Sequence, residues 1–247
     1  MTAATALPVR HAWAVMGTVF TVDARGAGLS WDAIESVVEF SHRIDALFST
    51  YRADSEISRL NQGALRRSEC SPEVRFVLDR CEQLEVETDG YFSARAVGSA
   101  FDPSGYVKGW AIGRMSQRLV EAGSVRHCVN GGGDVQCHGD RGNGEPWRIG
   151  IAHPLQPMTY VDVVEGFGPL AVATSGTAER GAHIVDPRTG RRPTGLAAVT
   201  VIDKDVAMAD YLATTCIAMG AGCVDMLRAD ARHQAVLVAA DGVIQRV

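Results

Sequence analysis

The sequence predicts an α+β fold in which a largely antiparallel sheet packs against helices. Helical and strand patterns are grouped along the chain rather than strictly alternating, which favours this class over a doubly wound parallel fold. Glycine or proline turns separate the predicted strands of the second half, as in sheets with short antiparallel connections. The 247 residues, 46% hydrophobic and 21% charged, can bury a sizeable core. We therefore expect one compact domain over residues 1–247.

The first half of the chain is predicted to contain one strand and three helices. Apolar residues alternate from Trp13 to Asp23, which predicts a strand. A helix follows with Ser30 as its N-cap, and a second helix starts after Ser71 with Pro72 at its first position. The third is predicted from about Val107 to Ala122, because a glycine follows it.

The second half is predicted to consist mainly of short strands. They lie within the segments RHCVNG, WRIGI, TYVDVVE, LAVAT and LAAVTVID. A helical region follows from about Ala207 to Ala229, with a break at GAG. The chain closes with a predicted hairpin, QAVLVAADGVIQRV, because Asp241-Gly242 is a strong signal for a two-residue turn.

Charge and composition exclude several classes of function. The formal net charge is -5 and no long Lys/Arg run occurs, which argues against a nucleic-acid partner. No stretch approaches the ~18 apolar residues of a membrane span, and the N-terminus lacks the pattern of an export signal. We therefore expect a cytoplasmic protein. The six cysteines include no CxxC pair, which favours reduced, mostly buried thiols over a disulfide framework or a zinc site.

The segment RGAHIVDPRTGRRP places an ionisable imidazole at the end of a short apolar strand. His183 lies in AHIV, and Pro187 and Gly190 favour a turn directly after it. A strand that delivers a histidine to a rigid turn can position a catalytic base. The alternative is a hydrogen-bonded core histidine without catalytic function.

Three glycine-bearing segments can bring backbone amides close to an anion. They are DPSGYVKGWA, NGGGDV and ATSGTAERGAH. A predicted helix starts after the first, so its positive N-terminus and Lys108 favour phosphate there. The third adds Thr174, Ser175 and Gly176 as candidate binding residues. Each segment taken alone is also compatible with an ordinary turn.

The segment MADYLATTC is compatible with a metal site if it is helical. Asp210 and Thr214 are then four residues apart and project from the same face. A carboxylate and a hydroxyl are hard oxygen ligands that suit Mg²⁺ and leave positions open for phosphate. The alternative is a solvated aspartate and a threonine bonded back to the carbonyl of Asp210.

Taken in order, these segments resemble a known family. The motifs are MGTVF, YRADSEISRLN, DGYFSA, DPSGYVKGWAIGR, VNGGGDV, WRIGIAHP, ATSGTAER, HIVDPRTG and VTVIDKDVAMADYLAT. They are similar to the successive motifs of the ApbE family, the FAD:protein FMN transferases. The resemblance runs from about Met16 to Gly220, and the ordered set is far more specific than any single motif.

The resemblance implies an enzyme that needs Mg²⁺, cleaves FAD at its pyrophosphate and transfers FMN to a Thr or Ser hydroxyl of an acceptor flavoprotein, releasing AMP. By that similarity His183 is the catalytic base. The metal ligands are Asp210, Thr214 and the backbone carbonyl of Gly105. The residues that fall on the family's FAD contacts are Met16, Tyr51, Tyr91, Phe92, Ser93, Asp102 and Lys108.

The sequence also departs from the family. The stretch between DGYF and FDPSGYVKG is shorter than is common, and the start carries no lipid-attachment cysteine, which resembles a compact cytoplasmic branch. Two alternatives to transfer therefore stay open: an FAD pyrophosphatase that uses water as the acceptor, and a non-catalytic FAD-binding carrier.

Overall fold

A computed structural model describes residues 9–26, 29–95, 98, 100–176, 184–230 and 232–247. The strands are β1 (Val9–Val15), β2 (Thr18–Ala24), β3 (His127–Gly131), β4 (Asp134–His138), β5 (Trp147–Ala152), β6 (Tyr160–Gly166), β7 (Leu170–Gly176), β8 (Leu196–Asp203), β9 (Gln234–Ala239) and β10 (Ile244–Arg246). The helices are α1 (Trp31–Phe48), α2 (Glu56–Asn61), α3 (Pro72–Glu87), α4 (Ser104–Glu121), α5 (Val206–Met219) and α6 (Cys223–Ala229). Short 3₁₀ turns lie at Arg67–Glu69 and Gly220–Gly222.

Eight strands form one antiparallel sheet in the order β1-β2-β3-β4-β7-β8-β9-β10. The other two, β5 and β6, pair with each other as a separate antiparallel ribbon. Helices and a mostly antiparallel sheet confirm the predicted α+β class.

The two faces of the large sheet bury different cores, because successive strand residues point to opposite sides. In β7, Ala171 and Ala173 belong to the large core shared with the helices, whereas Leu170 and Val172 pack with Trp147 of the β5–β6 ribbon. We call these sides the helical face and the ribbon face. The small alanines of the helical face allow the α5 backbone to pack close to the sheet.

Most of the predicted elements are confirmed. Ser30 caps α1 and Ser71 caps α3, each by accepting a backbone N–H with its hydroxyl, and Pro72 occupies the first turn of α3. The five predicted strands of the second half correspond to β3 and β5–β8, and β9 and β10 form the closing hairpin. The break at GAG is the 3₁₀ turn between α5 and α6.

The single strand predicted from Trp13 to Asp23 is wrong. The chain reverses at Met16 and Gly17, so the segment is the hairpin β1–β2. Both turn residues have positive φ (54° and 71°), as a type I′ turn requires. Methionine rarely adopts that conformation, and the apolar alternation continues through the turn, so the pattern concealed it.

Other boundaries also differ from the prediction. The helix α2 and the strand β4 were not predicted from the sequence, and α4 starts at Ser104 rather than at about Val107. Ile184 and Val185 are outside any strand, which contradicts the predicted strand AHIV where the structure describes it. The turn that follows is confirmed, because the Gly190 amide donates to the Asp186 carbonyl at 2.8 Å.

The region Val206–Ala229 is long and apolar enough to cross a membrane, but 72% of its most apolar 18-residue stretch is buried inside the fold. Its apolar character is explained by packing, since α5 lies in the large core.

Candidate functional site

The candidate site forms where α4 and α5 approach each other most closely. Gly109 on α4 faces Asp210 on α5, and a Cβ atom at Gly109 would lie 2.7 Å from the Cβ of Asp210. The Gly109 N–H donates to Asp210 Oδ2 at 2.8 Å, and only 3% of Asp210 is exposed. Absence of a side chain at Gly109 therefore allows a buried carboxylate to reach the backbone of the neighbouring helix.

The same hydrogen bond affects the carbonyl of Gly105. In an α-helix each N–H donates to the carbonyl four residues earlier, so the regular partner of the Gly105 carbonyl is the N–H of Gly109. Asp210 competes for this donor. Because Asp210 shares the Gly109 N–H, the Gly105 carbonyl oxygen is more available for a second interaction. This interaction would lie close to the Asp210 carboxylate.

Thr214 lies one helical turn after Asp210 and contacts the same part of α4. A Cβ at Gly105 would lie 3.6 Å from Thr214 Oγ1 and 3.4 Å from Phe92 Cε2. The hydroxyls of Thr214 and Ser175 share a hydrogen bond of 3.1 Å. The structure therefore brings five predicted site residues together: Gly105 of α4, Asp210 and Thr214 of α5, Ser175 of β7 and Phe92 of the segment after α3.

These contacts contradict the alternative interpretation of the Asp/Thr pair. Asp210 is buried rather than solvated, and the Thr214 hydroxyl pairs with Ser175. It is Thr215 whose hydroxyl donates back along the helix, to the carbonyl of Tyr211.

Lys108 belongs to a second polar group beside the first. Its Nζ lies 2.8 Å from Oδ2 of Asp134, which is 1% exposed, and the lysine side chain keeps 23% exposure. Asp134 Oδ1 accepts the backbone N–H of Thr174 at 3.0 Å, and Thr174 and Thr200 share a hydrogen bond of 2.8 Å between their hydroxyls. Asp134 thus connects the lysine to the strand that carries Thr174, Ser175 and Gly176.

The glycine segment NGGGDV is a hairpin turn between β3 and β4. Gly132 and Gly133 have positive φ, and the Gly133 amide donates to Asn130 Oδ1 at 3.0 Å. The residue of this segment that contacts another predicted site residue is Asp134. Its side chain, rather than the glycine amides, connects the segment to Lys108.

Aromatic residues line the other side of the α4–α5 contact. The Phe92 ring packs edge-on against Tyr211, with centroids 6.1 Å apart. The guanidinium of Arg188, in the turn after His183, lies 4.4 Å from the centroid of the Tyr91 ring. Burial raises the pKa of Tyr211, so its phenol stays neutral at physiological pH.

Asp102 and Ser93 make local hydrogen bonds. Asp102 Oδ1 accepts the N–H of Ser104 at the start of α4, at 3.0 Å, and Ser93 Oγ accepts the N–H of Arg95 at 3.0 Å. Both bonds order the backbone around the N-terminus of α4.

Three predicted residues are not placed in this cluster. Met16 lies in the β1–β2 turn and packs partly against the large core. Tyr51 follows α1 and is 97% exposed. No hydrogen bond, ion pair or ring contact among the described residues joins either to Asp210 or Thr214. His183, the predicted base, lies outside the described residues.

Two residues that position the site helices were not predicted from the sequence. The Gln136 side chain accepts the N–H of Val206, the first residue of α5, at 3.0 Å, and donates to the Lys204 carbonyl at 3.1 Å. The Asn61 side chain donates to the Phe101 carbonyl at 2.9 Å and accepts the Phe101 N–H at 2.7 Å. Each fixes the start of a site helix from a residue far away in sequence, and no local pattern predicts such a contact.

The oxygen atoms of the site can be compared with the ligands that a hard cation prefers. Asp210 provides a carboxylate, Thr214 a hydroxyl and Gly105 a carbonyl, all of them oxygens of the kind Mg²⁺ prefers. No group of three His, Cys, Asp or Glu side chains able to hold a metal occurs among the residues that the structure describes. Fold and site thus define an α+β protein with a mixed oxygen set beside a lysine–aspartate pair.

The family is established by comparison. The model of the ApbE family matches residues 16–99 and 93–237, and the chain belongs to this family. It is 35% identical over 128 residues to the FAD:protein FMN transferase of Vibrio cholerae, which covers 48% of this chain and 38% of that protein. With the enzyme of the same name from Rhodobacter capsulatus it shares 34% identity over 204 residues, which covers 78% of this chain and 36% of that protein. The chain therefore spans well under half the length of these two relatives.

Solved structures of the family have the same fold. The ApbE protein of Thermotoga maritima superimposes with a TM-score of 0.85 at 22% identity, covering 97% of both chains. The flavin transferase ApbE of Vibrio cholerae superimposes with a TM-score of 0.84 at 24% identity, covering 98% of this chain and 96% of that one. These likenesses concern the fold.

Proposed function

We propose that this chain is an FAD:protein FMN transferase that uses Mg²⁺. The observation that carries the proposal is the oxygen cluster of Asp210, Thr214 and Ser175 against Gly105 and Gly109. Family membership and the names of the two relatives support the same activity. The substrates are FAD and an acceptor flavoprotein with a Ser- or Thr-containing motif.

In the proposed reaction the acceptor hydroxyl attacks the FMN phosphorus of FAD. A new P–O bond forms, the P–O bond to the AMP half breaks, and AMP leaves with the anhydride oxygen. His183 would take the hydroxyl proton, a contribution typically worth ~10²–10⁴-fold. Lys108 would contact the phosphates, for which it would exchange part of its pairing with Asp134.

The cation would be held by Asp210, Thr214 and the Gly105 carbonyl. When bound, Mg²⁺ neutralises phosphate charge and orients the anhydride. Thr174, Ser175, Gly176 and Asp102 would contact the phosphates, and Met16, Tyr51, Tyr91, Phe92 and Ser93 would contact the rest of FAD. The cytoplasmic location expected from the sequence stays a prediction.

The proposal is tested by incubating the chain with FAD, Mg²⁺ and an acceptor flavoprotein, followed by intact-mass analysis of the acceptor. We expect an FMN adduct, its loss when the acceptor Ser or Thr is replaced by Ala, and its loss in EDTA. Asp210→Asn should raise the Mg²⁺ concentration for half-maximal transfer at least tenfold. Asp225→Asn, on the exposed side of α6, is the matched control and should leave that concentration unchanged.

Other outcomes would contradict specific parts of the proposed function. Release of FMN and AMP without an adduct would identify a pyrophosphatase, and tight FAD binding without turnover would identify a carrier. Transfer that persists after chelation would exclude the metal assignment.

A further inference from the structure

Four of the six cysteines form two pairs in the fold. Cys128 of β3 and Cys137 of β4 are direct cross-strand partners in the register of the hairpin. Cys216 near the end of α5 and Cys223 at the start of α6 face each other across the 3₁₀ turn that separates these helices. All six are present as free thiols.

The hairpin geometry places Cys128 and Cys137 within the range of a disulfide bond. The β3–β4 turn has two residues, and its closing pair is Gly131↔Asp134. Counting outward from this hydrogen-bonded pair, Cys128↔Cys137 is a non-hydrogen-bonded pair, for which the Cα atoms are about 4.5 Å apart. Disulfides accept Cα separations of about 4.4–6.8 Å, so no strand has to move.

The two thiols are cross-strand neighbours, and they differ in access. Both side chains pack on the ribbon face. Cys128 is half-buried, whereas Cys137 is 1% exposed. In the second pair, both Cys216 and Cys223 are 0% exposed. An external oxidant can therefore reach the first pair through Cys128 and has no such route to the second.

We propose that Cys128 and Cys137 form a dithiol modification site that low-molecular-weight disulfides convert to an intramolecular disulfide. The Cys128 thiolate attacks one sulfur of the oxidant, forms a mixed disulfide and expels one thiolate. The Cys137 thiolate then attacks the Cys128 sulfur, forms the protein disulfide and expels the second thiolate. Two protein thiols are oxidised and one disulfide is reduced to two thiols, so the exchange balances.

The order of the two steps follows from the surroundings of each thiol. The neighbouring Cys128 thiol, and then burial, raise the pKa of Cys137. The thiolate is the nucleophile in disulfide exchange, so Cys137 is a poor first attacker. Once Cys128 is held as a mixed disulfide, the two sulfurs are already adjacent and the second step is intramolecular.

The experiment treats the native, fully reduced chain with oxidised glutathione, blocks the remaining thiols and maps the products by mass spectrometry. We expect two of six thiols to be lost, in a peptide cross-link between Cys128 and Cys137. Cys137→Ser should stop at one glutathione on Cys128. Cys128→Ser should react at least tenfold more slowly, and Cys216→Ser, the matched control, should form the same cross-link at an unchanged rate.

Three results would overturn the proposal. They are a cross-link between Cys216 and Cys223 instead, a stable glutathione adduct on Cys128 in the unmutated chain, and oxidation of the hairpin pair only after unfolding in urea. Circular dichroism of each serine variant shows whether it is folded. If Cys137→Ser does not fold, trapping the mixed disulfide in the unmutated chain at early times tests the same step.

Discussion

The helical face and the ribbon face of the large sheet are built from the same strands but with different chemistry. On the helical face, Gly105 and Gly109 bring the backbones of two helices close, and the space holds a buried carboxylate and two hydroxyls. On the ribbon face, larger side chains such as Trp147 and Leu170 fill the space below β5–β6. On the helical face, glycines without side chains leave space for polar groups. On the ribbon face, large apolar side chains fill the corresponding space.

The largest expected effect comes from filling the space between α4 and α5 on the helical face. In Gly109→Ala the new methyl would lie 2.7 Å from both the Asp210 Cβ and the Val206 carbonyl oxygen. We expect α4 and α5 to separate, at a cost of about 1–3 kcal/mol in unfolding free energy. Because Asp210 moves with α5, FMN transfer should fall by ~10²-fold or more.

Gly113→Ala is the matched control, one turn further along α4. The nearest atom to its methyl would lie at 3.6 Å, an ordinary contact. We expect unchanged transfer and a stability equal to or up to about 1 kcal/mol above that of the parent. Equal effects of the two substitutions in urea unfolding and transfer assays would contradict the role given to the close approach.

The next effect concerns the ribbon face. Trp147→Ala removes the largest side chain of the small core, so unfolding free energy should fall by about 3 kcal/mol. Transfer per folded molecule should stay within twofold, because Asp210, Thr214 and Ser175 lie on the helical face. Trp31→Ala, half exposed at the start of α1, is the control and should cost less than about 1 kcal/mol. A large loss of transfer in folded Trp147→Ala would show that the two faces are not independent.

A smaller effect depends on pH. Burial, and then the charge of His138, lower the pKa of His127 to about 4, while its ring nitrogens bond to Ser116 and Ser124 at 2.8 and 3.0 Å. The unfolded chain binds this proton near pH 6.5, so the stabilising effect is complete above that pH and is lost as the pH falls towards 4. Between pH 7.5 and 5 this loss is about 2 kcal/mol.

Urea unfolding at the two pH values measures that loss. The variant His127→Gln should show a pH dependence smaller by about 2 kcal/mol, whereas replacement of the exposed His42 by Gln should keep the full dependence. An unchanged dependence in His127→Gln would show that folding does not lower the pKa of His127.

The smallest effect concerns the entry to α4. Asn61→Ala removes the two hydrogen bonds to Phe101, which should cost about 1 kcal/mol, since Asn61 is largely exposed. We expect a severalfold rise in the Michaelis constant for FAD with little change in turnover. Gln62→Ala is the neighbouring control. A lower turnover at an unchanged Michaelis constant would place Asn61 in catalysis instead.

Local signals explain which parts of the structure could be predicted. Capping serines, proline at a helix start and strand alternation act over a few residues, and the elements they mark are present. The spacing of Asp210 and Thr214 is local too, and α5 places them one turn apart. The Met16-Gly17 turn was not predicted, because Met16 has a positive φ, a conformation that methionine seldom adopts.

The partners of the site residues could not be predicted, because they lie far apart in sequence. The bond from Gly109 to Asp210 spans 101 residues, that from Val206 to Gln136 spans 70, and that from Thr174 to Asp134 spans 40. Sequence patterns mark Gly109 only as part of the glycine-bearing segment DPSGYVKGWA. Its importance follows from the absence of space for a methyl group, which only the packed helices define.

The order of strands in the large sheet also has a consequence for how the chain folds. The hairpins β1–β2, β3–β4 and β9–β10 join neighbours in sequence, whereas β2 meets β3 only after residues 25–126. The loss of chain entropy makes closing so long a loop cost about 3–4 kcal/mol more free energy than closing a two-residue turn. The seam between β2 and β3 should therefore assemble late, after α1 and α4 have begun to pack, and the first hairpin should dock as a preformed unit.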